Sequence, residues 1–570
     1  MTAQPALAFG IDKAQLRGEL AMAMITDPPL RGSGKITGVF FDPTGEIAAV
    51  ASEFPLLANP RARAAYGGQA LRYRVALYRR GGVAPFAALD DLRFPINDVA
   101  FHPAQSVVAI GAGSYDGGYL FEGDLLAWDW RSGRRQRFFS RIPEVVRCAY
   151  NAAGDQIEAW VRPWDEEWQG LPEDVPDAAF NTLFAVRIHC DEASWPSACS
   201  KDLELSRDEF SSTDEPSVDT PAPDARLAQW LGLPSVANRG AIHDLAWLDS
   251  RRIAVAHDGC LLEIHDLGGG PVATYTGPGY GTEIIRAAGI HVHVVEPSNR
   301  PGMMWRQDAR LYSLTDVGLN LVAEYNGEFT FSASSSGVLL GRMNRVPPAR
   351  NAQDRLRDLH SGAERRVDLG HYDCFNHYLR ISGAPSLFCV QGTPASSHEA
   401  KRLCMVAPDG QVKPLWPVLK ANGKPDSHAM ELCGCYLEDA QGAGLVVSGR
   451  HYSPAVHVAC TGFIYRKPLD RDRELWRHPT TASASAVIFL PDPGLIAAAF
   501  LDGGLLLLDA ASGAVRLRAA MRLDGLPTLV HAMDAHGEQL ALGTADGRIA
   551  VTTVGELLAQ DAAPGWVEIG

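Results

Sequence analysis

The sequence predicts an all-β protein, a β-propeller of seven to ten four-stranded antiparallel blades, and three observations predict it. First, one phrase recurs: Asp-Gly, a short apolar run, then Asp and a small-residue turn. It reads LDGGLLLLDAASG at 501–513, HDGCLLEIHDLGGG at 257–270, ADGRIAVTTVG at 545–555 and EGDLLAWDWRSG at 122–133. Second, the stretch around 501–513 parses as four strands in 36 residues. Third, units of this kind start every forty to sixty residues along most of the chain, the period and strand number of propeller blades.

The unit beginning at Ala486 shows the grammar most plainly. AVIFL is a short apolar strand and PDPG a turn; LIAAAF is a second strand and LDG a tight turn. LLLLD, the turn AASG and the strand AVRLRAAM complete it. Each run has the length of an ordinary strand. Asp502-Gly503 suits a two-residue hairpin, because Gly supplies a positive φ while Asp accepts backbone N–H bonds. Clear units also begin near Ile36, Ile96, Val145, Ile242 and Thr528, and weaker ones near Thr282, Phe329, Tyr378 and Met430. One step, from Val145 to Ile242, spans 97 residues and marks a blade with large insertions. The last unit has three strands, and LRGELAMAMI at 16–25 is expected to supply its fourth and close the ring, leaving no free edge.

At these residues the sequence resembles the WD40 family. Trp128-Asp129 sits where that family's Trp-Asp closes the third strand; His265-Asp266 and Leu508-Asp509 are relaxed versions. Gly370-His371 matches the Gly-His that precedes a blade, and Asp258, Asp502 and Asp546 match the turn aspartate before the third strand. The resemblance implies structural, turn-holding roles for Asp258, Asp502, Asp546, Trp128, Asp129 and His371. No unit carries the full His, Ser/Thr, Asp and Trp set, so the repeats are degenerate.

Two domain organisations fit. The first is one large ring over 1–570 with an acidic insertion at 191–235. The second has N-terminal blades in 1–205 and a seven-bladed propeller over 242–570. The single ring is the reading the sequence slightly favours, since three blades cannot close a ring on their own.

Charge and composition exclude several classes. The 570 residues are 46% hydrophobic and 21% charged with a formal charge of −15, which fits a folded globular protein and argues against a general nucleic-acid binder. No apolar run approaches the roughly 20 residues that span a bilayer, so no membrane association is expected. MTAQPALAFGIDKAQLRGEL lacks a basic stretch followed by an apolar one, which leads to the expectation of a cytoplasmic protein with reduced thiols. The ten cysteines are too sparse for a disulfide scaffold. Several, as in LFCVQ and RLCMV, sit in apolar runs where Cys packs as a small hydrophobe. Ala-, Leu-, Arg- and Gly-rich composition hints at a GC-rich bacterial source.

The search for chemistry yields little. GSGK at 32–35 lacks the preceding Gly and following Ser/Thr of a phosphate loop, and no Gly-x-Ser-x-Gly occurs. Cys433 and Cys435 alternate on one strand face as core residues would, and the histidines of GIHVHVVE, His291 and His293, are expected to be partly exposed strand residues. Asn97-Asp98 and His243-Asp244 stand where first strands would face a central channel, but equivalent positions elsewhere are Thr37, Val487 and Leu529. No cofactor and no metal is expected.

The insertions are more informative. Residues 191–224 hold ten Asp/Glu against Lys201 and Arg207, the composition of a mobile solvated loop, and lead into DARLAQWLGL, a short helix. RPWDEEWQGLPEDVPDA at 162–178 sets Trp164 and Trp168 among Asp165, Glu166 and Glu167. Aromatic anchors with a charged surround are the makeup of a binding hot spot. The sequence therefore reads as a non-catalytic interaction scaffold that uses Trp164, Trp168, Asp165, Glu166 and Glu167 to hold a protein with a basic surface. The alternative is a propeller enzyme or small-ligand binder using the central channel.

Overall fold

The computed structural model describes residues 23–24, 30–55, 71–115, 121–139, 142–162, 182–190, 205–211, 221–236, 239–298, 307–327, 329–343, 354–367, 369, 379–391, 402–418, 429–451, 462–523 and 526–560. They form an all-β, propeller-like fold. Ten sheets follow one another along the chain, one for each repeat read in the sequence, with a short hairpin of Arg522–Leu523 and Leu526–Pro527 between the last two. Eight sheets have four strands in antiparallel order. The helices among the described residues are Pro223–Leu231, Val554–Gln560 and one 3-10 turn at Arg31–Ser33.

The Ala486 unit illustrates why these residues fold so. Ala484–Leu490, Leu495–Phe500, Gly504–Asp509 and Val515–Ala520 pair in sequence order. Leu505 and Leu507 are fully buried on one side of the third strand, Leu506 and Leu508 on the other, so the run of four leucines serves both faces. Burying each such side chain is worth about 1.5–3 kcal/mol. The connection after the second strand spans three residues, Leu501 to Gly503, rather than the expected two. Gly503 takes a φ of 87°, the left-handed residue that a three-residue hairpin needs.

The described chain falls into two compact units. One comprises the described parts of 28–55 and 71–238 and holds the first three sheets, which begin at Lys35, Ile96 and Val145. The first packs on the second through Ala49, Val75, Val99 and Ile110, and the second on the third through Ala109, Leu125, Ala159 and Phe184. The other face of the first sheet is covered by the helix Pro223–Leu231, whose Leu227 joins Ile36, Val39 and Tyr78. Trp230 Nε1 donates to the Gly45 carbonyl at 2.9 Å. The predicted helix after the acidic stretch is thus present. The acidic stretch itself departs from the expected loop: Leu205–Ser211 is the fourth strand of the third sheet, Leu183 facing Phe210 and Val186 facing Leu205.

The other unit comprises the described parts of 1–27 and 239–570 and holds the remaining seven sheets. Each packs on the next through a continuous apolar layer. The tenth sheet then packs on the fourth, Ala532, Ala541 and Ile549 meeting Ile242, Leu245 and Trp247, so the succession is cyclic. The strand Ala23–Met24 pairs with Ile549–Thr553, Ala23 opposite Val551 and Met24 opposite Ala550. The N-terminal segment thus completes the last sheet, as the sequence predicts.

One sheet breaks the pattern. Among the described residues the seventh has Leu387–Gln391, Arg402–Val406 and Val412–Pro417. Its expected first strand, Arg380–Ser382, runs parallel to Ala429–Asp439 instead and becomes a fifth strand of the eighth sheet.

Candidate functional site

A buried polar cluster of the seven-sheet unit lies where first strands meet. Ile242–Trp247 carries a bulge at His243, after which Asp244 turns toward the fifth sheet. Asp244 Oδ1 accepts the N–H of Leu245 at 2.9 Å and Oδ2 that of Ile284 at 2.7 Å, joining the fourth and fifth sheets by backbone. Arg380 Nη2 donates to the same Oδ2 at 2.6 Å, and its Nε lies 3.5 Å from Glu283 Oε1. Asp244 and Glu283 are buried while Arg380 is about one-third exposed (35%). Burial, reinforced by the Asp244 charge and opposed by Arg380, pushes the Glu283 carboxyl up to about 7.

The short Arg380–Ser382 strand makes this possible. Ser382 Oγ donates to the Val487 carbonyl at 3.0 Å, and Ser332 Oγ reaches the Leu379 carbonyl at 3.1 Å. Residues 379–382 therefore touch the fourth, fifth, sixth, eighth and ninth sheets, placing them amid the first strands. His291 and His293, expected to be partly exposed, are both buried. The reason is packing: His293 Nδ1 lies 2.9 Å from Thr282 Oγ1 and its ring meets Phe331 edge-on at 4.7 Å. Burial, with Arg357 nearby, holds His291 below its ordinary pKa.

The staple formed by Asp244 recurs. Asp98 Oδ2 accepts the Cys148 N–H at 2.9 Å between the second and third sheets, and Asp534 Oδ2 accepts the Trp247 N–H at 2.7 Å between the tenth and fourth. Burial raises both carboxyls against these hydrogen bonds. Asp98, Asp244 and Asp534 are thus spent on backbone amides of the neighbouring sheet.

A second cluster sits on the fourth sheet. Arg239 Nε donates to Glu263 Oε2 at 2.9 Å and Nη1 to the Gly547 carbonyl at 2.7 Å. His265 Nε2 lies 2.8 Å from the same carboxylate oxygen, and Cys260 Sγ is 3.1 Å from His257 Nε2. Burial would raise Glu263, but the hydrogen bonds of His257 and His265 and the Arg239 charge hold it well below the usual range. With an arginine filling its centre, this cluster is built as a buried ion pair. Among the described residues no group of three or more His, Cys, Asp and Glu is arranged to hold a metal.

The residues matched to turn positions are found at turns. Asp258 Oδ1 lies 2.6 Å from His243 Nε2 and Oδ2 accepts the Ala241 N–H. Asp502 accepts the Gly504 N–H at 2.9 Å and the Thr481 hydroxyl at 2.5 Å. Asp546 is fully buried, accepting Thr544 Oγ1 and Arg548 Nη2, each at 2.6 Å. Trp128 is buried between the first and second sheets, and Asp129 accepts from Ser106, Arg131 and Ser132. Asp266, Asp358 and Asp509, at corresponding third-strand ends, accept the N–H two or three residues on in the same way. His371 lies outside the described residues, as do Trp164, Asp165, Glu166, Glu167 and Trp168; their loop joins the second and third strands of the third sheet.

Sequence reasoning singled out Asp98 and Asp244 but missed Glu283, Arg380 and Asp534. A signal for Glu283 was present: Asn97-Asp98-Val99, His243-Asp244-Leu245 and Thr282-Glu283-Ile284 are one pattern at one place in the repeat. No helix among the described residues is long and apolar enough to cross a membrane.

No family model matches the chain, and no curated protein matches it by sequence. Among solved structures it is similar to the crystal structure of Chaetomium thermophilum Raptor, at 11% identity with a TM-score of 0.38, over 55% of this chain. The chain matches 28% of that protein's length.

Proposed function

We propose that the protein is a non-catalytic protein–protein interaction scaffold on a WD40-like β-propeller, with a seven-bladed ring in 242–570 and further blades before it. The packing of Ala532 and Ile549 on Ile242 and Trp247 supports this division over a single ring of 1–570. The observation that carries the scaffold reading is the use of Asp98, Asp244 and Asp534. Each is a first-strand carboxylate that accepts a backbone N–H of the adjacent sheet. Recognition then falls to the loops, first among them 162–178, with Trp164 and Trp168 as anchors and Asp165, Glu166 and Glu167 selecting a basic partner surface. A cytoplasmic setting in a bacterial cell goes with this reading.

The test is quantitative capture of interacting proteins from the native cell with wild type and with Trp164→Ala/Trp168→Ala. A basic partner held by wild type and lost by the double variant, with the melting temperature unchanged, is the expected result. Equal capture by both, or a double variant that melts well below wild type, overturns the role of the loop.

One observation favours a second reading, a small-ligand binder: Arg380 remains one-third exposed beside a Glu283 carboxyl pushed up to about 7. A small molecule that raises the melting temperature of wild type but not of Arg380→Ala would establish it.

A further inference from the structure

Cys389 and Cys404 stand directly opposite each other on the first two strands of the seventh sheet. Opposed residues of an antiparallel pair point to one face with Cα atoms about 4.5–5.5 Å apart, inside the range of about 4.4–6.8 Å that a disulfide bridges. Both thiols are free and buried, beside Leu340, Leu356 and Val406. Among the described residues no other two cysteines oppose each other in a ladder; Cys433 and Cys435 succeed one another on a single strand.

The surroundings favour reaction. Cys404 Sγ lies 3.7 Å from Gln391 Oε1 and 3.8 Å from the Arg402 carbonyl. The opposed Cys404 thiol and the buried Arg342 guanidinium bias the Cys389 thiol below its ordinary pKa against burial and the Asp354 charge, while Cys404 is pushed up and keeps its proton. Arg342 is fixed there by its bond to the Val390 carbonyl at 3.1 Å. A thiolate beside a fixed cation is the attacking species in thiol–disulfide exchange. Access follows from the topology. Among the described residues Leu387–Gln391 is an edge of a three-stranded sheet, Arg380–Ser382 pairing with the eighth sheet instead, and an edge strand is the kind of element that opens below the cost of global unfolding.

We propose that Cys389 and Cys404 form a reversible dithiol–disulfide site, oxidised by a small-molecule disulfide. Cys389 attacks one sulfur of the oxidant, forming a mixed disulfide and releasing one thiolate. Cys404 then gives up its proton and attacks the Cys389 sulfur, closing the Cys389–Cys404 bond and releasing the second. The protein loses two electrons and two protons; the oxidant is reduced to two thiols. The bond ties the two strands together and removes the opening through which it formed.

The folded full-length protein is incubated with glutathione disulfide, quenched with an alkylating reagent, unfolded and digested. Partly buried Cys190, the described cysteine that is not fully buried, reports that the oxidant is active by taking up glutathione. The expected product is a peptide pair joined through Cys389 and Cys404, released by dithiothreitol, with amide exchange of 387–391 and 402–406 slowed in the oxidised form. Cys404→Ser is expected to stop at glutathione on Cys389. Both cysteines remaining alkylatable while Cys190 is modified, or either joined to a different cysteine, overturns the proposal.

Discussion

Asp244 and Arg380 meet at 2.6 Å across 136 residues of sequence. The carboxylate already serves the amides of Leu245 and Ile284, so the guanidinium completes its charge compensation rather than providing its only hydrogen bond. The two deletions should therefore be unequal. Removing one partner of a buried pair costs about 3–5 kcal/mol, and Asp244→Ala, which also strips the Ile284 amide, is expected at the lower end, about 3 kcal/mol. Arg380→Ala leaves a carboxylate with two amide donors and an opening to solvent, and should cost clearly less. Urea denaturation of both variants and the double variant measures this; equal losses would mean that the amide staples contribute nothing.

Glu283 makes the pH dependence specific. Its carboxyl is raised from 4.5 to about 7, facing Asp244, Arg380 and, at 4.0 Å, His293. A group that binds its proton more tightly when folded adds stability that is complete below about 4.5 and lost as pH rises through 7. Glu283→Gln keeps the neutral form throughout. The stability of wild type relative to Glu283→Gln should therefore fall between pH 4.5 and 8, by an amount on the order of 3 kcal/mol. A difference that is flat across this window would show the carboxyl titrating normally.

How much of this was legible depends on range. The ten sheets could be read because each first strand is a short apolar run closed by a turn signal, and both are local. The staple at Asp98 and Asp244 was half legible: the residues stood out, but their use did not, since a carboxylate facing a channel and one facing the next sheet share one sequence. Arg380 was illegible because its role depends on a strand leaving its own sheet for a parallel pairing, which no local pattern encodes. The strand Leu205–Ser211 was hidden by charge, its apolar residues outnumbered by the acidic ones around them.

The tenth sheet offers a direct test of the N-terminal strand. Ala23 and Met24 pair with Val551 and Ala550 along the edge of Ile549–Thr553. Proline cannot donate to a ladder and fits a strand poorly where its N–H is needed. Changing both residues, Ala23→Pro with Met24→Pro, should uncover that edge. The expected outcome is a lower melting temperature with concentration-dependent association through the exposed strand. Unchanged melting would show that the pairing adds no stability.

The turn aspartates share one place in a repeated phrase, yet their environments predict different energies. Asp129 accepts from Ser106, Arg131 and Ser132 in a solvent-facing turn. Hydrogen bonds to a charged carboxylate are worth about 1.5–3 kcal/mol, and these, in a turn where water can replace them, belong at the lower end. Asp546 is fully buried, and Asp546→Ala would leave the Arg548 guanidinium, itself buried, without its carboxylate. An uncompensated buried charge costs about 3–5 kcal/mol. Asp258 stands between them, half-exposed but bonded to a buried His243. Chemical denaturation of the three alanine variants should rank them Asp546, Asp258, Asp129. If Asp129→Ala proves as costly as Asp546→Ala, the phrase itself, and not the burial of the individual carboxylate, sets what each turn contributes.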